Sequence, residues 1–148
     1  MGAVSERTDE AGRCHMRVRI GMVEVYGPSM APTLDSGDQV LVHYGGRVRP
    51  GDIVVLRHPL QQDLLVVKRA AERRAGGWWV LGDNGFNESG DSEDYGAVPD
   101  ELVLGVGRLR LRPPAPGQTS LAARASWLAR AVRPLFADPS ASSRLRAR

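Results

Sequence analysis

A mainly β domain on a partly closed or coiled sheet, followed by one short amphipathic helix, is the architecture this sequence predicts. Three observations predict it. Short runs of β-branched and apolar residues recur at close spacing between residues 17 and 111, each bounded by Gly, Pro or Ser-Gly punctuation. No helical period precedes residue 118. Beyond Pro113-Pro114-Ala115-Pro116-Gly117 the spacing of apolar residues changes to a helical one, with arginines between them. A chain of 148 residues, 42% hydrophobic and 25% charged, has room for one packed domain and an appendage but not for two domains.

Taken in order, residues 1 to 15 mix both signs of charge without periodicity and read as an arm. The domain runs from 16 to 112. Arg17 to Ile20 and Met22 to Tyr26 read as half-buried strand, ended by Gly27-Pro28. Asp38 to Tyr44 reads as the next, with Val40 and Val42 on one face and Leu41 on the other. Arg49-Pro50-Gly51-Asp52 is a turn leading into a strand from Ile53 to Arg57. Leu64 to Ala71 and Trp78 to Leu81 flank Gly76-Gly77 as a hairpin, Gly82 to Gly96 is a polar loop, and Leu102 to Leu111 closes the sheet. Residues 113 to 119 are a linker by composition. A helix is expected over 120 to 136, capped by Ser120, with Leu121, Ala125, Leu128 and Val132 on one stripe and Pro134 ending or kinking it at Arg133. Residues 137 to 148, rich in Ser, Ala and Arg, are expected to be disordered.

Charge is divided unevenly. Residues 1 to 107 carry 11 basic and 16 acidic side chains, whereas residues 108 to 148 carry nine Arg against Asp138, so a net +3 conceals an acidic domain and a basic tail. The basic character belongs to the tail, and nucleic acid is not an expected partner. The longest stretch free of charge, Pro113 to Ala123, is too short for a transmembrane helix, and the first twelve residues have no apolar core of a secretory signal. Those features predict a cytoplasmic protein. Cys14 alone excludes an internal disulfide and a thiolate metal site.

Of the 20 basic residues one is Lys, namely Lys68. Arg cannot give up its proton in a protein and Lys can, so only Lys68 is able to act as a neutral amine base. In Leu64-Leu65-Val66-Val67-Lys68 the strand period puts it on the face of Leu64 and Val66, where burial would depress its pKa. A lysine snorkelling from a strand edge into water is the plainer reading of the same pattern. Ser29, between Pro28 and Pro32 on a strand connection, is displayed on a stiff turn suited to attack, although serine is also an ordinary turn residue.

The combination resembles the type I signal peptidases and their S26 relatives, serine endopeptidases with a Ser-Lys dyad. Ser29-Met30-x-Pro32-Thr33-Leu34 with Gly37-Asp38-x-Val40-Leu41-Val42 is similar to the nucleophile box; Pro50-Gly51-Asp52-Ile53-Val54-Val55 to the next; Val67-Lys68-Arg69 to the base box; and Gly82-Asp83-Asn84 with Ser89-x-Asp91-Ser92 and Gly96-x-Val98-Pro99 to the last. The resemblance implies a signal-peptidase or LexA-like coiled β-sheet, Ser29 as nucleophile and Lys68 as general base, with no cofactor and no metal. It implies that Ser89 orients the lysine, that Asp83, Asp91 and Ser92 shape the site, and that the oxyanion is held near Gly27, Ser29 and Met30, chiefly by the Ser29 N–H. The implied substrate is a precursor protein bound as an extended peptide and relieved of an N-terminal segment. The Gly27-Pro28-Ser29-Met30 form of the first box is similar to the short members of the family, the mitochondrial inner-membrane-peptidase type and the maturation protease of nickel-type superoxide dismutase.

Two positions depart from the family. Gly27 stands where many members have a serine that supplies the second oxyanion donor, and Glu93 where an Arg follows the Asp-Ser pair and pairs with the Asp; Arg69 is a candidate substitute. Residues 83 to 101 hold seven acidic side chains, but an EF-hand begun at Asp83 would have Glu88 where its turn glycine belongs, and His15, His43 and His58 are scattered. Two other functions fit the same boxes: a LexA-like autoprotease cutting at Ala11-Gly12, and a binding module with a vestigial dyad, against which the intact Ser29 and Lys68 argue. The stripe of the C-terminal helix either packs on the domain or, with its arginines, makes residues 120 to 148 a weak peripheral contact for anionic membrane.

Overall fold

The structure, a computed structural model, describes residues 17–85, 90–114, 117 and 120–138. The domain is mainly β, as expected. Its strands are β1 (Arg19–Glu24), β2 (Gln39–Tyr44), β3 (Ile53–His58), β4 (Gln61–Arg74), β5 (Gly77–Leu81), β6 (Val103–Leu111) and β7 (Val132–Pro134). All pairings are antiparallel, in the order β1-β2-β6-β3-β4-β5. β6 is the hub: β2 covers one of its edges, while β3 and β7 divide the other.

Alternation along β3 explains how one sheet builds two cores. Ile53 and Val55 enter a cluster with Val25, Met30, Leu34, Val40 and Val42, whereas Val54 and Leu56 enter a second with Ala70, Trp78, Val80 and Val98. Both faces of the central strand are therefore dry, which the coiling of the sheet makes possible. Each fully buried Val, Leu or Ile contributes about 1.5–3 kcal/mol of transfer free energy, so the two clusters fix the frame to which the site is attached.

The ends of elements differ from expectation where hydropathy carries no signal. β4 extends beyond 64 to 71 in both directions, because Gln61, Gln62 and Asp63 are exposed and are ordered by pairing with β3 rather than by an apolar face. The polar loop contains a short helix, α1 (Ser92–Tyr95), whose N-cap Asp91 accepts from Glu93 N at 2.9 Å.

The C-terminal helix, α2, spans Leu121–Ala131 instead of 120 to 136, and Ser120 caps it by accepting from Ala123 N at 3.1 Å. The chain then rejoins the sheet as β7, pairing Arg133 with Arg110. The expected stripe is not the packed face: Leu121 and Leu128 are 84% and 59% exposed, while Ala123, Trp127 and Ala131 turn inward and Trp127 Nε1 donates to Arg112 O at 3.1 Å. Leu135 packs against the first core cluster, and Asp138 N donates to Gly51 O at 3.2 Å. A Cβ at Gly51 would lie 2.5 Å from the Asp138 backbone, so that docking needs glycine. Residues 132 to 138 thus belong to the domain. Residues 1 to 15, most of the linker and residues 139 to 148 lie outside the described residues, as do Ala11 and Gly12.

Candidate active site

Ser29 reaches its position because its neighbours are anchored. Met30 and Leu34 are fully buried in the first cluster, and the chain between them is folded by Ala31 N to Pro28 O and Leu34 N to Met30 O bonds of 3.0 and 2.9 Å. From the other side Asn84 clamps the segment, donating from N to Ser29 O and from Nδ2 to Pro28 O, each at 3.0 Å. Ser29 itself is half-buried, and its backbone N–H has no acceptor among the described residues. The Gly27 N–H is occupied, donating to Ser36 Oγ at 3.3 Å. Met30 therefore acts as an anchor by its side chain, and the Ser29 N–H is left as a donor without an acceptor among the described residues.

Lys68 stands opposite Val54 in the β3–β4 pairing and is 4% exposed. No carboxylate among the described residues lies within ion-pair distance of it. Burial pushes its pKa below the ordinary lysine value; Asp91 and Asp94 oppose that shift without reversing it. Ser29 and Lys68 line one cleft of about 380 Å³, which Tyr26, His58, Leu64 and Val66 also border. They also abut the same glycine. A Cβ on Gly82 would stand 2.7 Å from Ser29 O and 3.7 Å from Lys68 Nζ, so any side chain there would displace the nucleophile's backbone.

Asp83 does not face the lysine. It accepts from Arg69 Nε and Nη2 at 2.7 and 2.6 Å and from Thr33 Oγ1 at 2.5 Å, tying the strand of Lys68 to the segment of Ser29. Arg69, the candidate substitute for the arginine missing after Asp91-Ser92, has Asp83 rather than Asp91 as its partner and so does not supply the missing pair; its Nη1 donates to Gly51 O at 2.7 Å. Asp91 caps α1, accepts from Gly82 N at 3.5 Å and acts on Lys68 through space. Ser92 is fully buried, and its Oγ accepts from Val80 N at 2.8 Å, which makes it a support of β5. Glu93 is exposed. Ser89 lies outside the described residues.

Sequence reasoning singled out Ser29, Lys68 and Asp83 but did not single out Thr33, Asn84, His58 or the steric need for Gly82. Three of these sit inside the boxes already quoted, where identity was legible and contact was not. His58 had no signal; it lies edge-on to Tyr95, ring centroids 5.0 Å apart, on the wall of the cleft. Burial, then Asp91 and Asp94, pushes the Tyr95 phenol up, so it stays neutral, donating to Gly90 O at 3.2 Å.

Two open strand edges border the cleft. Among the described residues β1 is paired only with β2, and β4 is paired with β5 only from Arg69 onward, so that residues 61 to 68 have no strand partner along that side. An extended peptide laid there would find main-chain partners, with Tyr26, Leu64 and Leu65 as exposed apolar contacts. No helix among the described residues is long and apolar enough to cross a membrane, and no group of three His, Cys, Asp or Glu among them could hold a metal ion.

Comparison with known proteins gives a consistent result. The family model described as Peptidase S24-like matches residues 8–92, more than half of the chain. The mitochondrial ATP-independent inner membrane protease subunit 1a of Arabidopsis thaliana is 32% identical over 125 residues, covering 66% of this chain and 74% of the relative.

Proposed function

The chain belongs to the Peptidase S24-like family and is a signal-peptidase-like protease, and from that premise we propose that it is a serine endopeptidase whose dyad is Ser29 and Lys68. The observation that carries this reading is the lysine: it is buried, has no carboxylate at ion-pair distance among the described residues, and lines the cleft of Ser29. A lysine so placed favours the neutral amine. Lys68 Nζ takes the Ser29 Oγ proton as Oγ bonds to the scissile carbonyl carbon, and the Ser29 N–H holds the oxyanion. As the C–N bond breaks, the Lys68 ammonium returns that proton to the leaving amine. Water, deprotonated by Lys68, then hydrolyses the acyl ester and regenerates Ser29.

The substrate in this proposal is a precursor protein whose N-terminal segment lies extended between the free edges of β1 and β4. The propeptide of nickel-type superoxide dismutase is a specific candidate, supported by Gly27-Pro28-Ser29-Met30 in the first box. A second reading, self-cleavage at Ala11-Gly12, is favoured by a family match that reaches back to residue 8. One experiment separates them. The chain is incubated with a candidate precursor, and both proteins are followed by mass spectrometry. Ser29→Ala and Lys68→Arg are expected to lower precursor cleavage by about 10³-fold or more, since Arg keeps the charge but cannot accept a proton. In the wild type the rate is expected to climb with pH through a Lys68 pKa lying below 10.5. Cleavage by Lys68→Arg at a tenth of the wild-type rate overturns the dyad. Concentration-independent cutting after Ala11, with the precursor intact, selects the second reading.

A further inference from the structure

On the far side of the nucleophile segment, α2 and β7 close a second cleft of about 440 Å³ over β6, lined by Pro32, Arg110, Arg112, Trp127, Arg130 and Arg133. Its charge is unbalanced. Arg112 is neutralised, donating to both oxygens of Asp38 at 2.9 Å and pairing with Asp35 at 2.7 Å. Arg110, Arg130 and Arg133 have no acidic partner among the described residues. Arg110 is 8% exposed, its Nε is buried without an acceptor, and its one hydrogen bond is a long 3.3 Å contact from Nη1 to Thr33 O. It also stands directly opposite Arg133 in the β6–β7 pairing. Like charges facing one another across strands destabilise a sheet, and a buried guanidinium without its acceptors costs more. Burial, with Arg112 and Arg133 beside it, pushes the Arg110 pKa down, and Asp38 and Asp35 oppose that shift through space without reversing it.

We propose that this cleft is a binding site for a phosphate ester. Arg130 and Arg133 add two charges beyond those of Arg110 and Arg112 that Asp35 and Asp38 balance, and the Arg110 Nε lacks an acceptor, which together exceed what one carboxylate needs, since a single arginine satisfies a carboxylate with two parallel bonds; a tetrahedral dianion offers acceptors in three directions and two charges. The Trp127 indole N–H is already committed to Arg112 O, so the ring and Pro32 give the cleft apolar walls beside its charged floor, suited to the organic part of an ester. A soluble ester and a phospholipid headgroup present the same chemistry to the arginines, and the test distinguishes the sources. The site is separate from the proteolytic chemistry and does not depend on the dyad.

Binding is measured on the Ser29→Ala chain, so that proteolysis plays no part. Glycerol phosphate is titrated by calorimetry, and co-sedimentation uses phosphatidylcholine vesicles with and without phosphatidate. Arg130→Gln with Arg133→Gln removes two exposed arginines of the cleft, and Arg17→Gln with Arg47→Gln removes two exposed arginines elsewhere. Saturable binding in either arm, weakened about tenfold or more by the cleft pair and by less than about twofold by the control pair, is the expected result. Glycerol phosphate binding assigns a soluble ester; phosphatidate binding alone assigns a lipid headgroup. No saturable binding in either arm, or equal losses from the two pairs, overturns the proposal. Amide shifts mapped on the unaltered chain supply a readout that no folding defect can mimic: they must centre on Arg110, Trp127 and Arg133.

Discussion

Arg69 and Arg110 are both buried in the sheet, 4% and 8% exposed, and they have opposite surroundings. Arg69, in the half that carries the base, spends its guanidinium on Asp83 and Gly51 O. Arg110, in the half closed by α2 and β7, keeps a bare Nε and faces another arginine. A buried cation with its acceptors in place is a fixed part of the frame; one without them keeps an unmet requirement in the folded state. Lys68 belongs with the second kind, although it is the chain neighbour of Arg69. An unmet ammonium can be relieved by losing a proton, a route closed to arginine, and on that difference rest the proposals of proton transfer at the one site and anion binding at the other.

The largest effect is expected from making Arg69 resemble Arg110. Asp83→Asn preserves shape but removes the charge that two guanidinium nitrogens and the Thr33 hydroxyl share. Breaking one partner of a buried pair costs about 3–5 kcal/mol, and the clamp between base strand and nucleophile segment loosens with it. Urea unfolding of the wild type and variant measures the loss. A change below about 1 kcal/mol would show that Gly51 O alone satisfies Arg69, and the contrast between the two arginines would collapse.

An intermediate effect of opposite sign is expected from Arg110→Met. Methionine fills a similar volume without charge, and the one long bond to Thr33 O is a small loss. In buffer free of phosphate the variant should match the wild type or exceed it by about 1 kcal/mol in the same unfolding experiment. With the ester present the order should reverse, since a ligand stabilises only the chain that binds it. A loss of more than about 2 kcal/mol without phosphate would mean that Arg110 is a structural residue like Arg69.

The contrast also explains what the sequence could disclose. Ser29 and Lys68 stood out in the sequence by residue type and setting, since a lone lysine among 19 arginines is conspicuous whatever the fold, and the structure places both on one cleft. Arg69 was expected as a substitute for the arginine missing at Glu93, and the structure instead commits it to Asp83, which Thr33 shares, because only the fold brings those residues together. Ser92, which the resemblance has shaping the site indirectly, supports β5 through Val80 N, a main-chain contact no motif encodes. β7 escaped detection because Val132, Arg133 and Pro134 are all exposed and show no alternation. Hydropathy likewise ranked Leu121 and Leu128 above Ala123 and Ala131, although the small residues allow α2 to approach β6 and Trp127 to reach Arg112 O. Packing chose size and a hydrogen bond over apolarity.

That choice leaves the smallest effect to predict. Leu121, Leu128 and Phe136 are 84%, 59% and 77% exposed, an apolar set that the domain does not use. A bilayer surface is the medium in which such side chains beside arginines gain free energy, and the relative from Arabidopsis thaliana is a subunit of an inner membrane protease. Two leucines of a helix this short can contribute only weak, reversible association, far from insertion. Leu121→Ser with Leu128→Ser, both exposed and without a role in the cores, should leave unfolding unchanged and lower co-sedimentation with phosphatidylglycerol vesicles by about threefold. Because the contact is apolar, that ratio should survive a rise in salt which weakens every arginine contribution. Sedimentation of the variant equal to wild type at both salt concentrations would remove the two leucines from any membrane contact and leave that role to the arginines around Arg110 and to the exposed Phe136.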